Sequence, residues 1–299
     1  KPLTTKNVYK KKVHAITKEP RYRIRNCVRG FDMISGVHYD ASFAPTPTNT
    51  TVKVVFAIAL YRLQQLGNAT LETLDRIEKE EWIVGNLFDV VQAFLNSELD
   101  PEKNPVYIQL PPYWKEYCEL RSIPYDPTDL ILLLKSQYGS VDSARLWCDK
   151  FVKILTEKGG CEMVKSKVDP CVLYKKDSKG KLILLMVYHI DDAYCCGLPS
   201  EVAKMFAHLK KSVEVLEIGR MQDHLGISYS IRQDSIGWYY KCEMSKYIKK
   251  TVVEYEHDMQ VKLSEHPTPA APGSILMKLD ETKEKIDRDD QFQKYIGRI

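Results

Sequence analysis

The sequence predicts an α+β protein built on an antiparallel sheet. Two observations carry this. Segments of strand and helix character run in the order strands, helix, strand, helix, strand, helix, hairpin, helix, hairpin, helix. Consecutive strand-type runs are joined by short turn signals, as in "KKDSKGK", "HIDD" and "IRQDSIGW". The chain of 299 residues, 44% hydrophobic and 28% charged, is long enough for a sizeable core and has an ordinary globular composition.

Residues 8–30 read as two short strands joined by "TKEP", and "YRIRNCV" alternates basic and apolar side chains as a one-sided charged strand does. The Pro-punctuated stretch 36–50 is a loop. After Pro47, cap-type Thr and Asn residues open a helix whose positions Val52, Val55, Ile58 or Ala59 and Arg62/Leu63 keep helical spacing, and Gly67 closes it. "EEWIVGNLFDV" is a strand ending near Asp89, followed by a short helix through "VQAFLNSEL". "PEKNPVYIQLPPYW" is extended, and "DLILLLKS" (129–136) is expected to be a buried strand. In "SARLWCDKFVKILTEKGG", Trp147, Phe151, Ile154 and Leu155 form one helical stripe that Gly159 and Gly160 end.

"DPCVLYKKDSKGKLILLMVYHIDDAYCCG" gives strand, hairpin, strand, tight turn, strand. "PSEVAKMFAHLKKSVEV" is an amphipathic helix with Ser200 as its expected N-cap and Val202, Phe206, Leu209 and Val213 as its stripe. A hairpin at 224–244, a basic-to-acidic helix at 245–259 and a linker, "HPTPAAPG" (266–273), complete the pass.

Net charge is only +4, yet residues 1–30 hold ten Lys and Arg against the single acid Glu19. Such a block suits a polyanion contact or a solvated basic tail, and the strand-like alternation favours the former. Eight scattered cysteines, with no CxxC and no His at zinc-finger spacing, read as reduced core thiols of an intracellular protein. Cys195 and Cys196 are expected to point to opposite faces of one strand. The longest apolar run, Leu182–Tyr188, is far short of the roughly 20 residues of a membrane span, so no membrane partner is expected. The N-terminus carries no secretory pattern and no initiator Met, which suggests a segment of something longer.

Three acids stand out: Asp89 at a strand end, and Asp191 with Asp192 in a tight turn flanked by apolar strands. Adjacent carboxylates repel, and burial penalises their charge further, so such a pair calls for a cation or else is a plain turn. If the strand ending at Asp89 lies beside the later hairpin, the three carboxylates converge on one sheet edge. That is the arrangement two Mg²⁺ ions at roughly 3.5–4 Å separation require.

At this point the chain resembles the reverse transcriptases of copia-type long-terminal-repeat retrotransposons, nearly end to end. "HIDD" (189–192) stands at their aromatic-x-Asp-Asp box, and "LFDVVQAFLNSEL" (87–99) is similar to their Asp-bearing strand followed by Ala-Phe-Leu-Asn. "RIRNCVRGFDMISGVHYDASFAP" (23–45), "LKSQYGSVDSARLW" (134–147), "HLGI" (224–227), "KYI" (246–248) and "TPAAPG" (268–273) follow in the family's order. The resemblance implies a right-hand polymerase whose antiparallel palm sheet is backed by helices at about 143–158 and 200–215. Fingers would span 1–82 and 98–142, palm 83–97 and 143–232, and thumb with the start of a linker 233–299. It implies template-directed DNA synthesis from RNA and DNA templates, with primer–template duplex and deoxynucleoside triphosphates as partners. Two Mg²⁺ ions, with Mn²⁺ as a substitute, would be held by Asp89, Asp191 and Asp192.

By the same resemblance, Arg23 and Arg25, with Lys12 as helper, would reach the triphosphate, since a guanidinium fork matches phosphate oxygens. Phe94 would lie under the sugar and exclude a 2′-hydroxyl, while Tyr138 and Gly139 pack beside sugar and base. Leu225 and Gly226 would support the primer 3′ end, and the Lys-rich helix from Lys246 would track duplex phosphates. A dimer or association with other Pol domains, a cytoplasmic virus-like particle and nuclear entry also fit the resemblance. Departures are His189 and Tyr188 in the box, Ala144 for Pro and Val141 for Lys; they bear on rate and fidelity. The rival readings are a silent nucleic-acid-binding scaffold, an RNA-synthesising polymerase, which Phe94 argues against, and a metal phosphohydrolase.

Overall fold

A computed structural model describes residues 2–13, 19–224 and 227–264. It is a mixed α+β architecture, and the chain divides into two compact units, one of residues 1–221 with Gln233–Tyr239 and one of Gln222–Arg232 with residues 240–299.

In the first unit, β1 (Thr5–Val13) and β2 (Pro20–Val28) form an antiparallel ribbon in which Lys10 faces Arg23 and Val8 faces Arg25. Directly opposed residues share a face, so Arg23 and Arg25 lie on one side and Tyr22 and Ile24 on the other. The expected alternation of "YRIRNCV" is therefore realised as a strand. Helix α1 (Asn49–Gln64) starts where the sequence signals it: the Thr48 side chain accepts the Thr51 N–H.

Next come α2 (Leu74–Glu80) and β3 (Ile83–Val90), then β4 (Tyr107–Gln109), α3 (Trp114–Arg121) and β5 (Leu130–Leu132). The short helix expected after β3 is a single 3₁₀ turn, Ala93–Asn96. Sequence reading passed over α2 and α3, which are short and mostly polar. It also expected a buried strand over 129–136. Three of those residues form β5 with β4 in a two-stranded sheet, Lys135 makes only an isolated bridge to Glu98, and Leu130 and Leu134 are exposed. With a single partner strand, this Leu/Ile run can bury only part of itself.

The remaining elements are α4 (Ser143–Thr156), β6 (Val164–Lys165), β7 (Val172–Lys176), β8 (Leu182–His189), β9 (Asp192–Gly197), α5 (Pro199–Leu209) and β10 (Val215–Arg220). The main sheet has six strands in the order β10-β3-β9-β8-β7-β6, all antiparallel. Helices α4 and α5 cover one face. Trp147, Phe151, Leu155, Val202, Met205 and Phe206 pack there on Phe88, Leu173, Met186 and Cys195. On the other face α1 meets the sheet through Phe56 and Tyr194, ring centroids 4.7 Å apart.

The helix expected over 199–215 ends at Leu209, and its N-cap is Leu198, not Ser200, with Pro199 at the first helical position. The Leu209–Val213 spacing mimics a continuing helix, but the β-branched residues after Ser212 open edge strand β10 instead. That edge is pinned by Arg220, which donates to Glu78 and, at 2.6 Å, to Asp75.

All eight cysteines are free thiols and six are buried, as expected. Burial pushes the Cys148 and Cys161 thiols up to about 11 and Cys171 up to about 12, so they stay protonated. Among the described residues no helix is long and apolar enough to cross a membrane.

The second unit holds β11 (Asp223–His224), most of β12 (Ile227–Gln233) and β13 (Trp238–Glu243), and α6 (Ser245–Met259). The three strands form one sheet in chain order, which bears out the expected hairpin and helix. The expected linker at 266–273 lies outside the described residues.

Candidate active site

Strand β3 is largely buried, with Asp89 the half-buried residue near its end. Phe88 is fully buried and meets Phe206 edge to face at 5.0 Å, while Asp89, the next residue, turns to the opposite face. The condition set by the sequence is met, because β3 pairs directly with β9. Asp89 stands opposite Asp192, and His189 also stands opposite Asp192 across the β8–β9 hairpin. The Val90 N–H donates to the Asp191 carbonyl at 3.0 Å, which ties the turn to β3. Asp191 is exposed, and Asp89 and Asp192 are half-buried. The three acids thus come from two neighbouring strands and one turn.

That turn has two residues, Ile190 and Asp191, with Ile190 at φ +58°. Positive φ at the first turn position alone is the sign pattern of type II′, where glycine is usual. A β-branched residue there is strained. Two of the turn's carbonyls are engaged: Asp191 by Val90, and Ile190 by the indole Nε1–H of Trp147 at 2.7 Å.

Among the described residues, no three His, Cys, Asp or Glu side chains are gathered into a set that could hold a metal ion. The donor set nevertheless suits a hard cation. Magnesium needs only one or two protein carboxylates and completes its octahedron with water and phosphate oxygens. Asp89 and Asp192, opposed on paired strands, are the carboxylates that would supply them.

A second constellation is assembled from β2, the 3₁₀ turn after β3 and the segment at 132–138. A cleft of about 690 Å³ is lined by Arg23, Arg25, Gln92, Asn96, Gln137 and Tyr138 among others. The Arg25 guanidinium lies 4.8 Å from the Tyr138 ring centroid, and Phe94 meets the same ring edge to face at 5.7 Å. Gln137 donates to the Asn26 side-chain oxygen at 2.7 Å. Arg25 Nε and Gln137 Oε1 are buried without a hydrogen-bond partner beside the cleft.

Two glycines let the end of β2 and the loop at 136–139 approach. Val28 N–H donates to the Tyr138 carbonyl at 2.8 Å, and Gly139, at φ +88°, would drive any Cβ into the carbonyl of Val28. A Cβ on Gly30 would likewise strike the Gly139 carbonyl.

The structure therefore brings Arg23, Arg25, Phe94, Tyr138 and Gly139 together, and Asp89 to the Asp191–Asp192 turn. The Lys12 side chain, Leu225 and Gly226 lie outside what is described. Sequence reasoning missed Gln92, Asn26 and Gln137 as cleft residues. Only the position of Gln92 three residues after Asp89, and of Gln137 just before Tyr138, marked them in the sequence. Trp147 was read as core alone.

The profile of the family described as reverse transcriptase (RNA-dependent DNA polymerase) matches residues 1–262, and the chain belongs to that family. Among curated proteins it is 28% identical over 228 residues to the retrovirus-related Pol polyprotein from transposon TNT 1-94 of Nicotiana tabacum. That match covers 76% of this chain and 15% of the relative. The Pol polyproteins from transposons RE2 and RE1 of Arabidopsis thaliana are 24% and 23% identical over 64% and 74% of this chain, and 11% and 13% of their own lengths. The chain thus spans less than a sixth of these relatives, and the copia-type resemblance is borne out.

Proposed function

We propose that the chain is the polymerase segment of a retrotransposon Pol protein and copies RNA and DNA templates into DNA. The observation that carries this is the register placing Asp89 opposite Asp192, beside the Asp191 turn. On this reading the six-stranded sheet with α4 and α5 is the palm. The β1–β2 ribbon and the segments at 98–142 belong to the fingers, and residues from 233 onward form the thumb.

The primer 3′-oxygen attacks the α-phosphorus in line; one P–O bond forms and the bond to pyrophosphate breaks. Asp89 and Asp191, with Asp192 as third acid, would hold two Mg²⁺ ions, which supply neutralisation of phosphate charge and a more acidic 3′-hydroxyl. Arg23 and Arg25 bind the triphosphate, their charge held over the cleft by the ribbon and, for Arg25, by the Tyr138 ring. Phe94, braced by the same ring, occupies the space a 2′-hydroxyl would need.

Primer extension on poly(rA)·oligo(dT) with Mg²⁺ tests the reading. The native chain should incorporate dTMP, and Asp191→Asn, folded and duplex-binding, should not. A native chain that binds the duplex and incorporates nothing would make it a silent scaffold.

A further inference from the structure

We infer that Trp147 is a positioning residue whose indole N–H locks the acid-bearing turn in its working conformation. The inference rests on the polymerase reading for its kinetic consequence but on geometry alone for its structural one. The central peptide of the turn joins Ile190 to Asp191. Rotating that peptide by half a turn exchanges the type II′ and type I′ forms: φ at Ile190 stays positive, while ψ at Ile190 and φ at Asp191 change. It would reverse the Ile190 carbonyl, change φ at Asp191 and so re-aim the Asp191 carboxylate. Ile190, β-branched at φ +58°, is strained in either form, and without the glycine that favours type II′ the turn's own residues do not select the observed one. The bond from Trp147 Nε1 to the Ile190 oxygen, at 2.7 Å, holds the carbonyl in the observed orientation.

Trp147 is a stiff anchor. It is fully buried, and Phe151 lies against it with ring centroids 5.3 Å apart; Phe151 in turn meets Tyr188 of β8 at 5.3 Å. One helical turn along, Lys150 donates to the Asn96 carbonyl at 2.7 Å, at the end of the 3₁₀ turn that carries Phe94. Residues three apart share a helix face. Helix α4 therefore fixes two parts of the site at once: the acid turn through Trp147 and the sugar-side residue through Lys150. A packing role alone would require the Trp147 ring volume but not its N–H group.

The test separates volume from N–H. Trp147→3-benzothienylalanine, introduced by nonsense suppression, replaces Nε1–H by sulfur and keeps the bicyclic shape; Trp147→Phe is the genetically simple companion. The first readout is hydrogen exchange of the Val90 amide, which donates to the Asp191 carbonyl and is protected only while the turn is seated. The second is kcat and KM for dTTP on poly(rA)·oligo(dT). We expect Val90 exchange at least about tenfold faster, kcat lower on the order of 10²-fold and duplex affinity unchanged, as for a small misplacement of a reacting group. Val90 exchange and kcat within about twofold of native in the benzothienyl variant would overturn the inference. If the native chain does not extend the primer at all, the polymerase reading falls, while Val90 exchange still decides for or against the lock.

Discussion

Replacing Gly139 by alanine puts the cleft's architecture to a quantitative test. Gly139 has φ +88°, which costs an L-residue about 1–2 kcal/mol. Its added Cβ would also fall well inside 3.0 Å of the Val28 carbonyl oxygen, against backbone that cannot swing aside as a flexible side chain can. Relieving that clash means separating β2 from the segment at 136–139 and losing the 2.8 Å bond from Val28 N–H to the Tyr138 carbonyl. Stranding that donor adds about 1–3 kcal/mol. The total is roughly 2–5 kcal/mol. Gly180 is the internal control, since it has φ +79° in the β7–β8 hairpin but nothing within 4 Å of an added Cβ. Gly180→Ala should cost only the conformational part, about 1–2 kcal/mol. Urea denaturation of both variants beside the native chain measures the difference, and dTTP binding to the duplex complex should weaken only in Gly139→Ala. Equal destabilisation by the two substitutions would refute the close-approach argument.

Phe94→Val should weaken discrimination against ribonucleotides by roughly 100-fold, read as the ratio of kcat/KM for dTTP and UTP, with dTTP use itself little changed. Glu201→Gln should destabilise the first unit by about 1 kcal/mol at neutral pH. The Lys204 hydrogen bond, and that of Lys175 at 3.0 Å, hold the Glu201 carboxyl below its ordinary value of 4.5, against the opposing effect of burial. Its stabilisation is therefore fully present above 4.5 and lost as pH falls through the lowered folded value, so native and variant should converge in acid. A denaturation midpoint difference that persists unchanged in acid would contradict this.

Much of the architecture was legible because it rests on periodicity and turn chemistry. The α4 stripe of Trp147, Phe151, Ile154 and Leu155 is one buried face, and the strands around "KKDSKGK" and "HIDD" pair as their turns demand. What escaped were elements decided by context. Edge strand β10 hides behind a spacing that continues a helix, and the burial of "DLILLLKS" depends on how many strands flank it, which no local pattern records. In the site, acids and arginines were readable as residue types in a pattern. The contribution of Gln137 and Asn26 was not, because a polar side chain declares its partner only when distant strands meet. Nor was Trp147, since an indole on an apolar stripe looks like core whether or not its N–H holds a carbonyl across the sheet.

The pairing of β3 with β9 is the central claim, and Asp89→Asn tests it most directly, because Asp89 lies about a hundred residues from the Asp191–Asp192 turn and joins it only through that register. Single-turnover incorporation of dTMP at saturating duplex is the measurement. The account predicts a fall on the order of 10³-fold with duplex affinity and folding intact. Incorporation by Asp89→Asn at the native rate would contradict it.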